Sequence, residues 1–238
     1  MQPTCARRTR LAPAPTVSTL LLVDAEYVRR CAARSHQMVS GSRISVSRVS
    51  IDACQISRLL DSLIVDFELE ASRSGAGRRP GRRIYDTIGA DRQQRWRQVY
   101  YRSALSAEGF VLRTVRGPRR PGKPGTLASD RDQANGVQAT LADDLVRLAR
   151  ELTTVVLLAG GEAYATAVSA ARAHGAEVVV VIPPGSEGLA GEPLLEAATR
   201  VIRLHPEVFE ALFEVHDSGW RRRDGRGSAR SASAGAAC

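Results

Sequence analysis

The chain has 238 residues, 43% of them hydrophobic and 25% charged, enough apolar material for one large α/β domain or two small ones. That composition excludes a disordered, collagen-like or coiled-coil chain, and no run of about 18 apolar residues is present to span a membrane. The 34 basic and 25 acidic residues leave a net charge of +9, and it is unevenly placed: segments 1–19, 71–83, 113–125 and 217–238 carry +3, +5, +5 and +3, so the rest of the chain is about −7.

Residues 1–17 hold Arg7, Arg8 and Arg10 and a LAPAP stretch without the apolar length of a secretory signal, and are expected to form a loose basic tail. STLLLV (18–23) is a continuous apolar run of the kind found in a buried parallel strand. The Ser-rich residues 35–50 are expected to be a loop. Ile56, Leu59, Leu60, Leu63, Ile64 and Phe67 then follow helical spacing, with Asp52 placed to cap the helix. SRSGAGRRPGRR (72–83) breaks the pattern and reads as a basic loop. RIYDTI (83–88) reads as a strand, Arg92–Glu108 as a helix with Trp96, Val99, Tyr100 and Ala104 inward and Gly109 ending it, and FVLRTV (110–115) as a third strand.

The proline- and glycine-rich residues 116–125 cannot be regular structure. Beyond them a helix is predicted near Gln138–Leu152, a strand at 154–159, a helix at 161–175 closed by Gly175, and a strand at 177–182. A helix at Pro193–Ala198, a short strand at 201–204 and a helix at Pro206–Phe213 complete the pattern. Strands separated by helices of this size imply right-handed crossovers, and so a single three-layer α/β domain over 18–215 with a mostly parallel, Rossmann-like sheet. The Arg/Ser/Ala-rich residues 216–238 are expected to be a disordered tail.

In such a sheet ligands bind outside the carboxyl ends of the strands, so the informative residues follow the apolar runs. Asp24 stands directly after the first, where it would either cap the next helix or hold Mg²⁺ or Mn²⁺ beside a phosphodiester. Asp86 after Tyr85 is either a further acid at the pocket or a solvated strand end. Dinucleotide and P-loop phosphate cradles are both absent from the sequence, and Gly160-Gly161 alone is a tight turn. Cys5, Cys31, Cys54 and Cys238 have no metal-ligand spacing, and a reducing cytoplasm suits them best. His36, His174, His205 and His216 are dispersed and suit surface or cap positions. Clustered arginine suits a polyanionic partner, although a chain whose one lysine is Lys123 also points to a genome that favours arginine codons.

LLLVDAEYV, RIYDTI, NGVQATLADDLVRLA and VVLLAGGEAYATAVSAARAHGAEVVVV, in that order, resemble the NYN domain, a PIN-like ribonuclease fold, over residues 19–205. The resemblance implies a metal-dependent nuclease acting on RNA, with acidic residues gathered at the strand ends. Matched position by position, the first-strand aspartate is Asp24, the asparagine three residues on is Tyr27, and the Lys-Gly-Val-Asp helix start is Asn135-Gly136-Val137-Gln138. A second helix aspartate matches Asp144. The Ser-Gly-Asp-x-Asp-Phe segment reads Ala159-Gly160-Gly161-Glu162-Ala163-Tyr164, with both aspartates gone.

An active site on this pattern would use Asp24 as metal ligand, Asp144 and Glu162 as further acids, and Mg²⁺ or Mn²⁺ as the cation. Against that, Asp144 lies about 240° around its helix from position 138, where a solvated face or an ion pair is its other role. Glu162 also suits the first turn of its helix. The expectation is therefore an RNA-binding or regulatory protein whose ribonuclease activity is lost or weak; the alternative is an active divergent endoribonuclease, and a small-molecule or partner-binding protein stands third. Arg82, Arg83, Arg119, Arg120, Lys123 and Asn135 are the expected nucleic-acid contacts. No membrane is involved in any of these readings, and a protein partner or a homo-oligomer stays open. Restoring acids at 138, 161 and 163 is expected to return metal-dependent cleavage.

Overall fold

A computed structural model describes residues 19–71, 81–87, 101–115 and 130–215. In chain order the elements are β1 (Thr19–Asp24), α1 (Ala25–Ser40), a 3₁₀ turn (Val46–Arg48), β2 (Val49–Ile51), α2 (Ala53–Ala71), β3 (Gly81–Thr87) and α3, described over 101–107. They continue with β4 (Phe110–Val115), α4 (Asp130–Leu148), β5 (Thr154–Leu158), α5 (Ala163–Ala173), β6 (Glu177–Ile182), α6 (Glu187–Ala190), α7 (Glu192–Ala197), β7 (Arg200–Arg203), α8 (Pro206–Glu210) and β8 (Phe213–Val215).

Six strands form one parallel sheet in the order β4-β3-β1-β5-β6-β7, and β2 and β8 pair antiparallel in a separate ribbon. The apolar runs at β1, β5 and β6 are buried on both faces, which is why they read as unbroken hydrophobic stretches. Alternate residues feed two cores. Leu21, Val23, Val156 and Leu158 pack with Val28 of α1, Ile56 of α2, Leu105 of α3 and Phe209 of α8; Leu20, Leu22, Val155 and Leu157 pack with Leu141 and Leu145 of α4, Val168 of α5 and Leu194 of α7. The result is the three-layer α/β arrangement expected. From β1 the chain runs outward through β3 and β4, then returns through α4 to the other side of β1 and runs outward again through β5, β6 and β7. The carboxyl ends of β1 and β5 therefore flank a topological switch point, where such folds place their ligands.

Asp52 caps α2 as its position suggested, accepting from the backbone N–H groups of Cys54 at 2.9 Å and Gln55 at 3.1 Å. The expected loop at 35–50 is corrected: residues 35–40 complete α1, and the 3₁₀ turn and β2 occupy 46–51. The buried side of α1 is Ala25, Tyr27, Val28, Cys31, Ala32 and Ser35, helically spaced but built from small residues that carry little hydrophobic signal. The basic loop expected at 72–83 is corrected at its end, since residues 81–83 belong to β3. α4 begins at Asp130, a full two turns before Gln138. The tails 1–17 and 216–238, the loop residues 72–80 and 116–125, and the positions of Trp96, Val99 and Tyr100 lie outside the described residues. Among the described residues no helix is long and apolar enough to cross a membrane.

Candidate functional site

Asp24 ends β1 and begins α1, and both roles fix its carboxylate. Its Oδ1 accepts the Tyr27 backbone N–H at 3.0 Å, the N-cap bond of α1. Its Oδ2 accepts the Tyr164 hydroxyl of α5 at 2.9 Å. The side chain is sealed from solvent, and burial pushes its pKa above the ordinary carboxylate range against the pull of these two donors and of the nearby Arg30. Tyr164 is buried too, and its hydroxyl is held well above the ordinary tyrosine pKa by burial and by Asp24, so it remains a donor.

The other tyrosine of the cluster replaces space with carbon. A Cβ on Gly160 would overlap the Tyr27 ring, so the turn after β5 lies directly on that ring and requires glycine. The Tyr27 hydroxyl meets Ser186 Oγ at 3.2 Å, and because Ser186 Oγ donates to the Pro183 carbonyl at 2.5 Å, Tyr27 is the donor of that pair. Burial pushes the neighbouring Cys31 thiol up to about 12. Gln138 Nε2 lies 3.5 Å from the Gly160 carbonyl and 2.8 Å from where a Gly161 Cβ would stand. The structure thus brings Asp24 together with Tyr164, and Gln138 together with the Gly160-Gly161 turn, at the switch point.

Asp144 and Glu162 do not join them. Asp144 is not on a solvated face; it is largely buried on the side of α4 that faces β3 and β4 and gathers four donors. Tyr85 Oη donates to its Oδ2 at 2.7 Å and Arg147 donates to its Oδ1 at 2.5 Å, while Arg83 Nη1 and Arg113 Nε stand 3.4 and 3.8 Å from Oδ2. Partial burial raises the pKa of Asp144, but the bonds from Arg147 and Tyr85 outweigh it and hold the group below its ordinary value. Glu162 sits exposed at the N-cap position of α5 without a capping bond, its Cγ 2.9 Å from where a Gly191 Cβ would lie. Asp86 is buried, not solvated, and Arg29 takes it bidentately at 2.7 and 2.5 Å.

Of the expected nucleic-acid contacts, Arg82 is engaged within the protein. It points to the α2 face, where it binds the Ser57 hydroxyl, the Asp61 carboxylate and, at 3.0 Å, the Glu108 carbonyl. Arg83, one residue on, faces α4 by strand alternation. Asn135 is exposed on α4, and Arg119, Arg120 and Lys123 lie outside the described residues. Tyr164 is the site residue that sequence reasoning missed. Its one signal was a hydroxyl where the family pattern has phenylalanine.

A hard dication takes several oxygen ligands, at least some of them anionic. Here Asp24 has both oxygens engaged by protein donors, Gln138 brings only an uncharged amide, and Gly161 and Ala163 bring nothing. Among the described residues no three His, Cys, Asp or Glu side chains stand close enough to share a metal. The described residues around Asp24 do not fit a divalent-metal centre.

A doubly wound parallel sheet with an aspartate at the strand end beside its switch point defines a three-layer α/β protein. The NYN domain model matches residues 18–205, and the chain belongs to the NYN domain family, whose type is that of metal-dependent nucleases. Among solved structures, a protein of unknown function from Vibrio parahaemolyticus is 15% identical with a TM-score of 0.50, covering 82% of this chain and 97% of its own, a likeness of fold alone. No curated protein matches the chain.

Proposed function

We propose that this chain is a non-catalytic NYN domain that binds RNA in a regulatory role, its metal-dependent cleavage lost. The observation that carries the reading is the Tyr164–Asp24 hydrogen bond at 2.9 Å. It spends the free oxygen of the one family aspartate left at the crevice, and the other oxygen caps α1. Phosphodiester cleavage by this fold needs a carboxylate cluster to fix the cation and orient a water. The active alternative would assemble that cluster from Asp24, Asp144 and Glu162, yet Asp144 is held by Arg83 and Arg147, and Glu162 turns toward Gly191. RNA binding is supported by family membership and by the concentration of arginine in the chain.

The test is incubation of the full chain with single-stranded RNA in Mg²⁺ or Mn²⁺. The expected result is RNA retained but uncut. Cleavage that is abolished both by a chelator and by Asp24→Ala would overturn the proposal.

A further inference from the structure

Asp144 is outnumbered. Arg83 from β3, Arg113 from β4 and Arg147 from α4 converge on this one carboxylate, and Tyr85 pins the same group from below. Arg147 also feels Glu151, one turn further on, but among the described residues neither Arg83 nor Arg113 has a second carboxylate within ion-pair distance. Among the described residues the cluster therefore keeps an excess of positive charge. It is also open: the Arg113 and Arg147 side chains are 49% and 58% exposed, while Asp144 is 12% exposed at their base. Arg113 meets the carboxylate through Nε, on the flank of its guanidinium and not through the terminal fork that grips oxyanions bidentately.

The placement matters as much as the charge. Tyr85 is in register with Asp24 on one side and with Arg113 on the other, so the three side chains form one row across the α4 face of the sheet. Two strand spacings, about 10 Å, separate the row's ends. The arginines thus stand beside the family crevice, on the same face, and outside it.

We propose that Arg83, Arg113 and Arg147, organised by Asp144, form a phosphate-binding site that takes a backbone phosphodiester of RNA lying across the β3–β4 edge of the sheet. Asp144 acts as a positioning residue: it preorganises three guanidiniums that would otherwise repel one another, and Tyr85 holds it in place. The site rests on the RNA-binding reading above for the source of its phosphate; a free phosphate would satisfy the same donors.

The experiment measures binding of labelled oligouridylate to the full chain across a salt series, for wild type, Arg113→Gln with Arg147→Gln, and Arg203→Gln, which removes a charge at the opposite sheet edge. Arg83 is left in place so that Asp144 keeps a cation, and thermal unfolding confirms that each variant is folded. Each phosphate neutralised on a single strand contributes about 0.7 to the slope of log affinity against log salt, so the double variant, which breaks the site for one phosphodiester, should lose about 0.7 and Arg203→Gln almost nothing. If wild type binds RNA and the double variant loses no more slope per charge than Arg203→Gln, the site is refuted while RNA binding stands. If wild type ignores RNA but inorganic phosphate raises its unfolding temperature, and the double variant loses that effect, the phosphate site stands and the RNA source is overturned. Loss of both responses in wild type overturns both.

Discussion

Tyr164→Phe keeps the ring that packs α5 on the sheet and deletes one oxygen. Asp24 is 1% exposed, so water does not replace the lost donor and Oδ2 is left as a buried acceptor without a partner. That costs about 1–3 kcal/mol. At a central value of about 2 kcal/mol, a domain of this size should unfold roughly 4–8 °C lower. The cost also depends on pH. Asp24 has its folded pKa raised by burial, so its contribution to stability is complete below the unfolded value and is lost as pH rises through the folded one. The Tyr164 bond pulls that folded value down. Removing it raises the value further and deepens the loss on the alkaline side, so the gap between variant and wild type should be smallest in acid and widen as pH rises. Thermal unfolding followed by circular dichroism across this range reads both effects. A gap that is flat with pH, or one undiminished in an Asp24→Ala background, would refute the coupling.

Gly160→Ala should be the most disruptive single methyl in the crevice, costing about 1–3 kcal/mol or more by denaturant midpoint, because its Cβ overlaps Tyr27; paired with Tyr27→Ala the methyl should cost far less. Arg82→Ala should destabilise by about 1–3 kcal/mol through its lost bonds to Ser57, Asp61 and Glu108, yet leave the salt slope of RNA binding unchanged. Cys31, with its thiol pushed up to about 12, should resist alkylation in the native protein and react only on unfolding, as peptide mass mapping would show. The replacements Gln138→Asp, Gly161→Asp and Ala163→Asp should fail to create cleavage on their own. Asp24 stays capped by Tyr164, and the Gly161 φ of +130° strains any side chain there by about 1–3 kcal/mol; adding Tyr164→Phe is the change that frees the carboxylate.

The sheet was legible because buried parallel strands announce themselves as apolar runs, and β1, β5 and β6 are such runs. α1 was legible only at its cap, since its inward side is alanine, cysteine and serine, and β2 is three residues long with no periodicity to read. At the site, the family pattern named Gln138 and Gly161, and the structure sets the Gln138 amide against the Gly160-Gly161 turn. The Tyr164–Asp24 bond joins residues far apart in the chain through one hydroxyl, which leaves no trace in spacing. The division of labour between Arg82 and Arg83 was hidden for a different reason. Arg82 was read as a loop residue and Arg83 as the first of its strand, and only once β3 extends back to Gly81 does strand alternation send one to α2 and the other toward α4.

The β2–β8 ribbon ties together the timing of the fold as well as its ends. β8 sits against Val49 and Ile51, and the Leu212 carbonyl accepts the Asp52 N–H at 2.9 Å just before α2 begins. On a ribosome β2 emerges early, with α1 and α2, but its partner is the last strand of the domain to be made. Until then Val49 and Ile51, both buried in the finished protein, have nothing to pair with, however much of the large sheet has already assembled. A nascent or prematurely stopped chain lacking residues 213–215 therefore leaves β2 as an open strand edge beside the α1–α2 face.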